Sequence, residues 1–217
     1  MTDSVLATLA GLRIVPVVEI EEVSSALPLA DALIEAGLPA MEVTLRTPAA
    51  LAAIREVRRE RPGFLVGAGT LLTAADVSAA ATAGAQFLVS PGRTDALTAA
   101  ARDSGLELVP GAVTPSEIMG ALDAGHTHVK FFPAAQYGGA AAISSLAAPL
   151  AATGVRFMPT GGIRPESLAS YLAVAAVFAV GGTWIAPRDL LREARFDVVA
   201  ERAVAALAVS VREPKEG

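Results

Sequence analysis

The stretch His128-Val129-Lys130-Phe131-Phe132-Pro133 is short, apolar and aromatic-rich, the pattern of a buried strand. The lysine inside it is out of place, because lysine is rarely buried unless something holds it. Composition sharpens the point. Arginine supplies nearly all the positive charge, and the only lysines are Lys130 and Lys215. Lys215 sits in the polar tail Arg212-Glu213-Pro214-Lys215-Glu216-Gly217. Lysine, unlike arginine, can lose its proton when desolvated, and it is then a nucleophile. At an ordinary pKa near 10.4, about one amine in 2500 is neutral at pH 7, so burial is what makes that chemistry available. The free amine can attack a carbonyl to form a Schiff base. The same six residues also read as a strand-end lysine that snorkels to water, and on this stretch alone both readings stand.

Working outward, similar stretches recur along the chain. Strands are expected at 14–19, 40–45, 65–70, 87–91, 106–113, 128–133, 156–160 and 177–181. Between them lie alanine- and leucine-rich segments with charges at helical spacing. Thr47-Pro48 places proline at a first helical position. Thr114-Pro115-Ser116-Glu117 reads as a capping box, and Arg164-Pro165-Glu166 as a weaker helix entry. Gly37, Gly84, Gly105, Gly125 and Gly154 close helices. Thr2-Asp3-Ser4 caps a short helix ending at Gly11, and a last helix spans 196–209. Eight β/α units of roughly 20 to 28 residues predict a single-domain (β/α)8 TIM barrel over 1–217. Residues 1–11 form an extra N-terminal helix and 211–217 a mobile tail. An open doubly wound sheet is the alternative, but no glycine fingerprint follows the first strand.

In such a barrel the C-terminal strand ends build the active site. Charged or glycine-rich residues collect there, at 42–46, 67–70, 90–92, 130–133, 159–162 and 181–183. Alternation puts Glu42, Thr44 and Arg46 on one face of their strand and the apolar Met41, Val43 and Leu45 on the other. With the apolar set against helices, Glu42 and Arg46 point inward. His128, Lys130 and Phe132 share a face in the same way, so Glu42 and Lys130 can meet, as catalytic partners or as a structural ion pair. Arg46 adds a fixed cation able to hold a carboxylate. Gly161-Gly162 and Gly181-Gly182-Thr183 end the seventh and eighth strands, where many barrels bind phosphate through backbone N–H groups.

Composition narrows the partners. The chain has 217 residues, 53% of them apolar, and a net charge of −5, which gives no basic excess for nucleic acid. It has no cysteine and only His126 and His128, which argues against a thiol nucleophile and a cysteine- or histidine-based metal centre. Met1-Thr2-Asp3-Ser4 lacks the basic start of a signal peptide, and the longest apolar run, 172–180, is too short to span a bilayer. A soluble cytoplasmic protein acting on a small molecule is expected, without nucleic acid or membrane partners.

Taken in order, Glu42-Val43-Thr44-Leu45-Arg46, Gly67-Ala68-Gly69-Thr70, Ser90-Pro91-Gly92, Val129-Lys130-Phe131-Phe132-Pro133-Ala134, Pro159-Thr160-Gly161-Gly162 and Gly181-Gly182-Thr183-Trp184 resemble the 2-keto-3-deoxy-6-phosphogluconate aldolases, whose members also act on 4-hydroxy-2-oxoglutarate. The resemblance covers nearly the whole chain. It implies a class I aldolase that needs no metal or cofactor and assembles as a trimer of barrels. It places the Schiff-base lysine on Lys130 and the general acid/base on Glu42. Arg46 and Thr70 would contact the pyruvate carboxylate, and Pro91 and Phe132 would line the pocket. Gly161, Gly162, Gly182 and Thr183 would hold the phosphate. Thr183 stands where serine is usual. Ala135-Gln136-Tyr137 replaces a segment that often carries glutamate, and Arg93 is an unusual charge after Ser90-Pro91-Gly92. The 42–46 segment looks more like the phosphogluconate branch than the phosphogalactonate branch. Two other functions fit the same barrel. One is an isomerase or epimerase in which Lys130 is an electrostatic anchor and forms no adduct; the other is a non-catalytic metabolite-binding barrel.

Overall fold

The computed structural model describes residues 4–210; the tail beyond, with Lys215, and the cap residues Thr2 and Asp3 lie outside them. Helix α1 (Val5–Leu12) comes first, its N-terminus closed by the Ser4 hydroxyl accepting from the Ala7 N–H. Strand and helix then alternate: β1 (Ile14–Val18), α2 (Ala26–Glu35), β2 (Ala40–Thr44), α3 (Ala50–Glu60), β3 (Leu65–Gly69), α4 (Ala74–Ala83), β4 (Leu88–Val89), α5 (Asp95–Ser104), β5 (Leu108–Val109) and α6 (Pro115–Asp123). The second half continues with β6 (His128–Phe131), α7 (Gly139–Ala147), β7 (Arg156–Pro159), α8 (Pro165–Leu172), β8 (Val180–Gly182), α9 (Arg188–Arg192) and α10 (Phe196–Ser210).

All eight expected strands are present, several of them shorter. β4 and β5 shrink to two residues each, and β8 begins at Val180, three residues later than expected. The strands form an α/β fold of parallel pairs. Six lie in the order β5-β4-β3-β2-β1-β8, and β6 pairs with β7. Isolated parallel bridges join the two sheets at both edges, Gly111 to Lys130 on one side and Phe157 to Val177 and Thr160 to Gly181 on the other.

Helix entry follows local chemistry. Thr114 and Glu117 form the expected capping box, with Pro115 in the first turn. The Ser167 hydroxyl accepts from the Arg164 N–H to start α8. The Thr47-Pro48 expectation is corrected: α3 begins at Ala50, and Pro48 lies in the preceding turn, where its fixed φ serves as well as in a helix. α3 carries its apolar residues Ala50, Ala53, Ile54 and Val57 at helical spacing and buries that stripe.

Two apolar layers result. The larger packs the helices on the outer strand faces, with Met41, Val43, Val129 and Phe131 at its centre. The smaller collects Val15, Ala40, Leu65, Phe87, Val89, Val109, Met158 and Phe178, and Leu9 of α1 packs into it. Each fully buried leucine, valine or phenylalanine contributes roughly 1.5–3 kcal/mol, so the alternation of faces is firmly set. That register decides which side chains remain for the site.

Candidate active site

β2 runs Ala40-Met41-Glu42-Val43-Thr44. Its odd positions are bound to the helices, so Glu42 and Thr44 turn the other way. Both are buried, Glu42 completely. β6 treats Lys130 likewise, between Val129 and Phe131, and leaves it 5% exposed. The Lys130 Nζ donates to Glu42 Oε1 at 3.1 Å. Lys130 therefore does not snorkel to water. A buried pair of this kind is costly unless its remaining lone pairs are satisfied, and here they are not. Glu42 Oε2 is buried and has no hydrogen-bond partner among the described residues. A buried acceptor without a protein partner can accept a hydrogen bond from something that enters.

Glycine makes this placement possible. A Cβ on Gly69 would lie 2.0 Å from Glu42 Oε1 and 2.6 Å from its Cδ. A Cβ on Gly67 would lie 2.4 Å from the Phe87 ring. Two glycines spaced by two residues in a strand signal close approach on one face. That pattern is readable in Gly67-Ala68-Gly69 from the sequence alone. Thr70, next along, has φ 60°, a strained left-handed conformation for a β-branched residue. Such strain concentrates at functional positions.

Phe132 is partly exposed, with its ring centroid 5.3 Å from Lys130 Nζ. The ring also covers Gly161, where a Cβ would come within 3.1 Å of it. Pro91 and Phe132 line a common cavity of about 300 Å³ with Arg93 and Gly111. Gly161 and Gly162 have φ of 95° and 72°, which only glycine adopts without strain. Gly182 is needed for a different reason, since a Cβ there would strike the Trp184 ring at 1.8 Å. Thr183 is exposed beside it.

Arg46 lies beyond the end of β2, its side chain 61% exposed, and its Nη1 is 3.5 Å from Glu19 Oε2. The strand period stops applying once the chain enters the turn at Leu45. Among the described residues no three His, Cys, Asp or Glu side chains gather as a metal site, and no helix is long and apolar enough to cross a membrane.

Known proteins are similar to this chain in sequence and fold. The 2-dehydro-3-deoxy-phosphogluconate aldolase of Pseudomonas aeruginosa is 47% identical over 179 residues, 82% of this chain and 80% of that protein. A KDPG aldolase from Legionella pneumophila, solved with pyruvate captured at low pH as a covalent carbinolamine intermediate, superposes with a TM-score of 0.89 at 38% identity, covering 93% of this chain and 97% of that one. The 2-keto-3-deoxy-6-phosphogluconate aldolase of Zymomonas mobilis, solved with 3-phosphoglycerate, gives 0.86 at 39% identity, covering 96% and 99%. The family profile of KDPG and KHG aldolases spans residues 5–202, so this buried lysine–glutamate pair sits in a chain that belongs to the KDPG and KHG aldolase family.

Proposed function

We propose that this chain is a class I aldolase that cleaves 2-keto-3-deoxy-6-phosphogluconate to pyruvate and glyceraldehyde 3-phosphate, with 4-hydroxy-2-oxoglutarate as a further substrate. The observation that carries the reading is the Lys130–Glu42 pair, buried and 3.1 Å apart, with one carboxylate oxygen left over. Glu42 takes a proton from the Lys130 ammonium, and the free amine attacks the C2 ketone. The carbinolamine loses water with the proton that Glu42 returns, leaving an iminium. Glu42, directly or through a water, then accepts the C4 hydroxyl proton. The C3–C4 bond breaks, and its electrons move into the iminium to give an enamine. The aldehyde departs, the enamine is protonated at C3, and hydrolysis releases pyruvate and the lysine amine.

The other roles belong to the same proposal. Arg46 and Thr70 orient the substrate carboxylate, and Pro91 and Phe132 enclose the carbon chain. The N–H groups of Gly161 and Gly162, with Gly182 and the Thr183 hydroxyl, take the phosphate. We read the two sheets, bridged at both edges, as one closed (β/α)8 barrel of a single domain, with α1 as its extra N-terminal helix. A homotrimer in the cytoplasm completes the reading. Family membership does not favour the isomerase alternative.

Borohydride reduction with pyruvate, read by intact mass and peptide mapping, tests it. A reduced pyruvate adduct on Lys130 is expected. Folded protein that forms no adduct would overturn the reading.

A further inference from the structure

Glu19 lies just past the end of β1 and is not among the residues so far given a role. Its side chain is only 18% exposed. One oxygen faces Arg46, with Oε2 at 3.5 Å from Nη1; the other accepts a short hydrogen bond from Arg188 of α9. Arg188 also lies 3.6 Å from Glu21 Oε1, and Glu21 is held by both Arg192 Nε and Nη2. The Arg192 guanidinium holds the Glu21 carboxyl below its usual range. Three arginines and two glutamates thus run from the turn after β2 to α9, which follows the Gly182-Thr183 loop.

The members are unequal in freedom. Arg46 is 61% exposed and its long side chain must be ordered before it can grip an anion, whereas Glu19 is mostly covered and fixed from behind by Arg188. Glu19 approaches the guanidinium through Nη1, one of its several donors. Arg188 offsets the charge of Glu19, so the group keeps one unit of positive charge toward an arriving carboxylate. Preordering of this kind lowers the entropy lost on binding.

From this geometry we propose that Glu19 is a positioning residue, which with Arg188 behind it holds Arg46 in the orientation that receives the substrate carboxylate. The inference rests on the aldolase reading and on Arg46 as the carboxylate contact. It also ties the carboxylate end of the site to the helix that follows the phosphate loop.

The test is Glu19→Gln, which keeps the shape and removes the charge. The KM for cleavage should rise roughly three- to tenfold, with kcat within about twofold, because binding and not chemistry is affected. Arg188→Gln should move KM the same way by less. In an Arg46→Ala background, Glu19→Gln should add nothing further. An unchanged or lower KM, or the same rise in the Arg46→Ala background, overturns the proposal. Should Glu19→Gln fail to fold, the Arg188→Gln pair of measurements decides alone. A wild-type protein that traps no pyruvate would instead strike the aldolase reading, so the two failures are told apart.

Discussion

Replacing Gly69 with alanine adds one methyl group and asks whether the position of Glu42 matters. Gly69 does not adopt a positive φ, so alanine meets no backbone strain there, and the effect is steric. The new Cβ would stand 2.0 Å from Glu42 Oε1 and 2.6 Å from Cγ and Cδ. Ordinary contact begins near 3.5 Å, so the carboxylate has to retreat by more than about 1 Å. It is fully buried, and the struck atom, Oε1, is the one that accepts from Lys130 Nζ at 3.1 Å, so retreat disturbs the pair. A displacement of about 1 Å at a reacting centre costs roughly 100-fold, and complete loss of acid–base assistance costs 10²- to 10⁴-fold. We expect kcat to fall by about 10² to 10³, with stability lowered by about 1–3 kcal/mol through overpacking. Gly67→Ala is the control, because its Cβ would meet the Phe87 ring and not Glu42. It should cost comparable stability with a much smaller loss of kcat. The assay is pyruvate release from 2-keto-3-deoxy-6-phosphogluconate at a temperature where both variants are folded by circular dichroism. If folded Gly69→Ala keeps kcat within about threefold of the wild type, Glu42 needs no exact placement and the reasoning fails.

Three further outcomes are expected. Lys130→Ala should abolish cleavage and adduct formation, and it should lower stability by about 3–5 kcal/mol because Glu42 is left buried and unpaired; near wild-type cleavage would exclude Lys130 as the nucleophile. Glu42→Gln should slow cleavage by about 10²- to 10⁴-fold and slow pyruvate trapping with it, because Glu42 serves imine formation as well as the C4 hydroxyl proton; trapping at the wild-type rate would confine Glu42 to the bond-breaking step. The third concerns acid stability. Desolvation, then the Arg93 charge, holds His126 below its ordinary pKa of about 6.5, and desolvation, then Arg156, does the same for His128. The unfolded chain therefore binds these protons first. Stability is full above about pH 6.5 and falls as pH drops from there through the lowered folded values. Urea unfolding at pH 7.5 and pH 5.5 should show that loss, and replacing both histidines with asparagine should shrink it.

Much of this was legible because each level of the sequence repeats the same message. The eight strands could be placed since apolar runs end at capping signals such as Thr114-Pro115-Ser116-Glu117. Glu42 and Lys130 could be paired because alternation acts strictly inside a strand, and both lie inside one. Alternation does not fix the direction of Arg46, which lies in the turn beyond the strand. Pro48 was set two residues too deep, since proline suits a turn and a first helical position equally. β4 and β5 are shorter than expected, although Phe87, Ser90 and Pro110 at their ends still hydrogen-bond to neighbouring strands. Glu19, Arg188 and Arg192 were beyond reach, since 169 and 171 residues separate the partners and nothing local marks them.

Glu42 and Lys130 stand 88 residues apart, on strands that belong to different sheets. During synthesis the carboxylate is made long before its amine. A chain halted after β5 would carry Glu42 with no cation to meet it, and its first five strands would keep a ledge where β6 has yet to dock. Docking β6 and β7 against β5, and β8 against β1, supplies the charge partner in the same movement that shuts out water. The lysine–glutamate pair and the seam between the two sheets therefore come into being together, and a half-assembled chain holds neither.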